Sequence, residues 1–145
     1  MKAFGLFVAV FSVFVLLSGI YQINFTNGIP KNEKYKIVEL ADDDVEFLED
    51  ENILKVDCRG HNSFRARRLK GSINISIKDV VENPDKVLAA LNASGKTKIC
   101  LYCGGSACDV ASDVANYLVY TGYEVSVYRP GWPIIRELGI IEGGI

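Results

Sequence analysis

The chain divides into two regimes of apolar patterning. From Ala3 to Ile20 every position is apolar or small (AFGLFVAVFSVFVLLSGI), and no charge appears between Lys2 and Lys31. At the helical rise of about 1.5 Å per residue this run spans about 27 Å, and about 31 Å if it continues to Ile23, the thickness of a hydrocarbon core. Residues 1–23 are therefore expected to form one hydrophobic helix acting as an uncleaved membrane anchor. The alternatives are a signal segment cleaved near Ser18-Gly19 and a buried core helix. In the first two cases the remainder is exported, to the periplasmic or extracellular side, either tethered or secreted. Lys2 and the amino terminus must then hold the inner side against Lys31, Lys34 and Lys36. Residues 24–35 (NFTNGIPKNEKY) are polar, with Gly and Pro, and read as a linker.

Beyond residue 35 short apolar runs alternate with helical stripes. Strands are expected at Tyr35–Val38, Ile53–Asp57, Ile73–Ile75, Lys98–Tyr102 and Glu124–Tyr128. Helices are expected at 41–50, 63–69, 78–91 with an interruption at Pro84, from Ala107 to Leu118, and at 132–138. Asp42, Asp43 and Asp44 suit the first turn of the second-regime helix that opens at Ala41. Gly122 suits the end of the long helix. Such alternation over short connections predicts an α/β domain over 36–145, with a roughly five-stranded parallel sheet covered by helices on both faces. In such sheets the ligand site lies beyond the carboxyl ends of the strands.

The balance of 16 basic against 18 acidic residues excludes a strongly basic nucleic-acid binder. The 23% charged and 10% aromatic shares exclude a disordered chain. Four cysteines are too few for a disulfide-stapled miniprotein. A four-thiolate zinc site needs two Cys-x-x-Cys pairs, and the single one here, Cys100 and Cys103, is split across the two faces of a strand, so no metal is expected. No cofactor is expected either.

The chemistry-bearing stretch is Lys98–Tyr117 (KICLYCGGSACDVASDVANY). A strand ends at Cys103, a loop follows through Gly104, Gly105, Ser106, Ala107, Cys108 and Asp109, and a helix begins. Two adjacent glycines allow a tight turn that points several N–H groups inward. With the helix N-terminus they favour an anion at the Cys103 sulfur, and so a thiolate nucleophile. The plainer alternative is a small buried hydrophobe at a strand end. Cys108 can pair with Cys103 across the loop or resolve a persulfide on it, or it can simply pack inward. Strand alternation separates Cys100 from Cys103. Cys58 ends a strand and could approach the site. His61, in a loop, reads as solvated rather than as a base. The Arg65, Arg67, Arg68, Lys70 run reads as a solvated face or, less simply, an attractor for an anionic donor. Trp132 is expected to pack the last helix on the sheet.

The order Asp57-Cys58-Arg59, the turn Arg67 to Ser72, Tyr102-Cys103, Gly122-Tyr123, Val125–Tyr128 and Gly131-Trp132 resembles the single-domain rhodanese-like proteins over roughly residues 37–142. That resemblance implies a sulfurtransferase. Cys103 would take a sulfane sulfur from a small donor (thiosulfate or a persulfide), hold it as a persulfide steadied by the 104–109 amides, and pass it to a thiol or cyanide. Asp57 and Arg59 would support the site structurally. A membrane or redox protein would be the partner, with no role for nucleic acid. Active members usually carry Arg five positions after the nucleophile; Cys108 stands there. Asp109 stands where the related phosphatases close their longer loop with Arg, which argues against that activity. The alternative reading is a non-thiosulfate sulfur carrier, a Cys103/Cys108 dithiol relay or a protein-binding module.

Overall fold

Strands β1 (Ile37–Leu40), β2 (Ile53–Asp57), β4 (Ile73–Asn74), β5 (Lys98–Tyr102) and β6 (Glu124–Tyr128) form one sheet in the order β1-β6-β5-β2-β4. Every pairing in it is parallel. This is a computed structural model, and it describes residues 36–143. The expected anchor or signal segment, 1–23, and the linker, 24–35, lie outside those residues. Among the described residues no helix is long and apolar enough to cross a membrane.

The central strands are buried along nearly their whole length, as a sheet covered on both sides requires. Alternation sorts their side chains into two cores. Ile99, Leu101 and Cys103 face one core with Val56, Cys58, Val114, Ala115 and Leu118. Cys100 and Tyr102 face the other with Leu48, Leu69, Tyr128 and Ile135. The first core is closed by α3 (Ile77–Glu82), α4 (Pro84–Ala93) and α5 (Val110–Leu118), the second by α1 (Glu46–Glu49) and α6 (Trp132–Glu137).

Several boundaries differ from the expectation, each for a local reason. The 41–50 helix shortens to α1 because the Asp44 side chain accepts from the Ala41 N–H at 2.7 Å and folds the acidic stretch into a turn. The expected 78–91 helix is two. Ser76 caps α3 reciprocally with Asp79, and Pro84 opens α4, where its missing N–H costs nothing. The basic helix is α2 (His61–Ala66), which starts two residues and ends three residues before the expected 63–69, the apolar pattern in so short a polar run being too weak to fix its ends. Arg68–Leu69 leaves it to form β3, antiparallel to β7 (Ile141–Glu142). Two-residue strands carry no period to read. The long helix starts at Val110 rather than Ala107, leaving 104–109 as open loop. A 3-10 turn over Val119–Thr121 follows it, and Gly122 ends that turn at φ 94°.

Candidate active site

The sheet order places the site. From β2 the chain crosses to β4 on one side, and from β5 to β6 on the other. Their neighbouring carboxyl ends are thus the point where the winding reverses, and a crevice opens there. Asp57-Cys58-Arg59 leaves β2 and Cys103 leaves β5; the Cys58 N–H donates to the Tyr102 carbonyl at 2.8 Å and ties the two ends together.

Asp57, fully buried, is satisfied on both oxygens. Oδ1 accepts the Arg59 amide at 2.9 Å and Nε at 3.0 Å, while Oδ2 accepts Arg59 Nη2 at 2.7 Å and the Tyr102 hydroxyl at 2.8 Å. Tyr102 in turn accepts the Leu69 N–H at 3.1 Å. Burial, with the adjacent Asp57 carboxylate, drives the Tyr102 phenol far above its ordinary range, so it stays a neutral donor. Arg59 also donates to the Arg67 carbonyl at 2.6 Å and lies 3.8 Å over the Trp132 ring.

Trp132 is more than a packing residue. Its main-chain N–H donates to the Cys103 carbonyl at 2.8 Å, so the entry to α6 holds the base of the 104–109 loop. Gly131 makes this approach possible. Its φ of 66° suits glycine, and a Cβ there would stand 2.7 Å from the Cys103 carbonyl and 2.9 Å from the Gly105 nitrogen. Both neighbours are backbone and cannot swing aside. Gly131→Ala is expected to cost about 1–3 kcal/mol in strain alone and to slow reactions at Cys103. Thermal unfolding beside Cys103 alkylation kinetics checks this; a variant unchanged in both would show that the loop has slack.

Cys103 is buried, and Cys103 and Cys108 are joined by a disulfide with their Cα atoms 6.2 Å apart. Within the loop the Cys108 N–H donates to the Gly105 carbonyl at 3.0 Å, which turns Cys108 back toward Cys103. The amides of Gly104, Gly105, Ser106 and Ala107 take no acceptor among the described residues. Asp109 stands at the N-cap of α5 without a side-chain bond to it. The sequence left pairing open against inward packing; the bond joins the two sulfurs.

The other two cysteines are elsewhere. Cys100 faces the opposite core, and burial pushes its thiol up to about 11. Cys58 shares the Cys103 core, but burial and the Asp57 carboxylate push its thiol well above the ordinary range. An acid with a raised pKa keeps its proton until the pH passes that value, so both thiols are unreactive near neutrality. After reduction, alkylation at about pH 8 should modify Cys103 and Cys108 only, with Cys58 and Cys100 reacting on unfolding or in strong alkali. Peptide mapping that finds Cys58 labelled at the same rate would refute this.

His61 is exposed and begins α2. Its Nδ1 meets Asn74 Oδ1 and its Nε2 lies 3.4 Å from Asp79. It links the start of α2 to the end of β4 and the first turn of α3. Arg59, Arg65, Arg67 and Arg136 line a cleft of about 570 Å³ with Ser63, Ala66 and Trp132. The sequence scattered these arginines over three segments: Arg59 was expected to support the site, Arg65 and Arg67 to form a solvated face or an attractor for an anionic donor, and Arg136 was not singled out. Among the described residues no group of three or more His, Cys, Asp or Glu side chains is placed to hold a metal.

The Rhodanese-like domain family model matches residues 41–137. The chain belongs to the rhodanese-like domain family. Solved structures of the same fold include the BH2092 protein of Bacillus halodurans, with 23% identity and a TM-score of 0.57, covering 73% of this chain and 77% of that one. Another is Ygr203w of Saccharomyces cerevisiae, described as a homolog of single-domain rhodanese and the Cdc25 phosphatase catalytic domain, with 12% identity and a TM-score of 0.59 over 77% and 92% of the two chains. A third is the As-Sb reductase of Leishmania major, with 20% identity and a TM-score of 0.53 over 71% and 79%. At these identities the likeness is one of fold. No curated protein sequence matches the chain. The rhodanese-like fold fits a sulfurtransferase-type enzyme, while its relatives by fold include phosphatase-like and reductase proteins.

Proposed function

We propose that this rhodanese-like domain is a sulfurtransferase that moves a sulfane sulfur through a persulfide on Cys103 to a thiol acceptor. The observation that carries the reading is Cys103 at the carboxyl end of β5, at the point where the winding reverses, beside loop amides that take no acceptor among the described residues. Those amides and the N-terminus of α5 lower the energy of a negative sulfur there. In the reduced protein the Cys103 thiolate attacks the outer sulfur of the donor, forms Cys103–S–S⁻ and releases the donor's remaining group. The acceptor thiol then takes that outer sulfur and frees the Cys103 thiolate.

A persulfide is the better donor for this site than thiosulfate. Thiosulfate carries its charge at the end an arginine would clamp, five residues after the nucleophile, and Cys108 and Asp109 offer it no cation. A second reading, a Cys103/Cys108 dithiol relay, is favoured by the bond between the two sulfurs. An exported, oxidising setting, as residues 3–20 suggest, would keep that pair bonded between turnovers.

The test is intact mass and peptide mapping of the reduced full chain after incubation with a low-molecular-weight persulfide. One added sulfur on the Cys103 peptide supports the transferase. Reduction and oxidation of the pair, with sulfur never found on Cys103 even when Cys108 is replaced, supports the relay.

The arginine cleft is suited to the donor's anionic groups. Arg65, Arg67 and Arg136 form no carboxylate ion pair among the described residues, whereas Arg59 is spent on Asp57. Arg65→Gln, Arg67→Gln and Arg136→Gln together should raise KM for a carboxylate-bearing persulfide about tenfold at low salt with kcat unchanged, and the parent's KM should climb with ionic strength. A triple variant with parental KM would show that the cleft takes no part.

A further inference from the structure

Resting on that reading, we infer that Cys108 attacks the Cys103 persulfide and makes this protein a persulfide reductase, releasing hydrogen sulfide rather than only handing sulfur on. The placement of the two sulfurs carries this. They are bonded within one loop, separated by five positions in sequence, and the Cα separation of 6.2 Å lies inside the range a disulfide spans without backbone movement. The bond from the Cys108 amide to the Gly105 carbonyl holds Cys108 turned toward Cys103. Any sulfur added to Cys103 is therefore formed beside a second thiol tethered at high effective concentration, before an external acceptor arrives. Cys58 and Cys100 do not compete, being buried at 2% and 0% exposure. Cys108 itself is half-buried at the loop surface, within reach of solvent.

The step balances. The Cys108 thiolate attacks the Cys103 sulfur. The bond between the two cysteine sulfurs forms, and the bond from the Cys103 sulfur to the outer sulfur breaks. The outer sulfur leaves with the bonding pair and takes up the proton that the Cys108 thiol gave up, so that Cys108–SH and Cys103–S–S⁻ become the disulfide and HS⁻. Two electrons pass from the cysteine pair to the sulfane sulfur, which becomes sulfide, and the pair becomes the disulfide. A small or protein dithiol then reduces that disulfide by thiol exchange and returns the enzyme to its starting state. The disulfide form is thus the product of one turnover, and it takes up no further sulfur until reduced.

The test is a single turnover. The full chain, reduced and freed of reductant, is mixed with one equivalent of cysteine persulfide, and sulfide and intact mass are followed together. The parent should release one equivalent of sulfide and end as the disulfide, two hydrogens lighter than the reduced chain. Cys108→Ser and Cys108→Ala should load the same sulfur, release none, and remain one sulfur atom heavier. With excess dithiol the parent should then turn over repeatedly. If the parent keeps its Cys103 persulfide beside an intact Cys108 thiol, or if Cys108→Ser releases sulfide at the parental rate, the reductase step is wrong while loading on Cys103 stands. If neither protein gains sulfur on Cys103, the transferase reading falls with it.

Discussion

Cys103→Ser is expected to abolish sulfur uptake and transfer while leaving the reduced protein folded as before. A serine hydroxyl stays protonated at neutral pH and forms no persulfide, so the loop amides would have no anion to stabilise. The size change is small at a site already buried. The stability comparison depends on redox state. Closing so short a loop with a disulfide is worth about 2 kcal/mol through the unfolded chain. The oxidised parent should therefore unfold at a higher temperature than Cys103→Ser, and the reduced parent at the same temperature. Donor-dependent sulfur loading, measured beside unfolding in both redox states, separates chemistry from scaffold. A variant retaining about a tenth or more of parental transfer would move the reacting sulfur to another residue.

The strands that position this sulfur were readable because each is buried on both faces. Ile53–Asp57, Lys98–Tyr102 and Glu124–Tyr128 appear in the sequence as short apolar runs between turn residues, and they occupy those same residues in the sheet. The separation of Cys100 from Cys103 followed from strand alternation alone. What failed to read out were interactions between distant segments. Nothing near Gly131 in sequence says that its missing Cβ leaves room for the Cys103 carbonyl, because that contact joins the ends of β5 and β6 through space. The β3–β7 pair is invisible because two residues have no period. The acidic stretch at 42–44 misled through its dipole logic: a carboxylate suited to a first helical turn also closes a turn on itself when it can reach an amide three residues back. The arginine cleft draws on the segment after β2, on α2 and its C-cap, and on α6, so only the assembled fold brings its charges together.

Asp57→Ala should be the most destabilising of the substitutions around the site. An exposed ion pair is worth about 0–1 kcal/mol. This one is not exposed: the side chains of Arg59 and Asp57 are 10% and 0% accessible. Removing the carboxylate strands a guanidinium that water reaches poorly, and it also takes from the Tyr102 hydroxyl the acceptor it donates to at 2.8 Å, leaving Ser72 Oγ at 3.3 Å as the side-chain partner. Removal of one partner from such a pair typically costs about 3–5 kcal/mol. The Arg67 carbonyl and the Trp132 ring remain as partners for Arg59, which favours the lower end, about 3 kcal/mol. For a domain of this size that corresponds to a melting temperature lower by about 10 °C or more. Asp57→Asn keeps one acceptor and the shape but sets an NH2 against donors, so it should fall between parent and Asp57→Ala. The loss should also spread to the sulfur, since Arg59 rests on Trp132 and Trp132 holds the Cys103 carbonyl. Denaturant unfolding of parent, Asp57→Ala, Arg59→Ala and the double variant gives the coupling directly. A coupling under about 1 kcal/mol would reduce the pair to the worth of a surface contact, and the two strand ends would then be held together by the sheet alone.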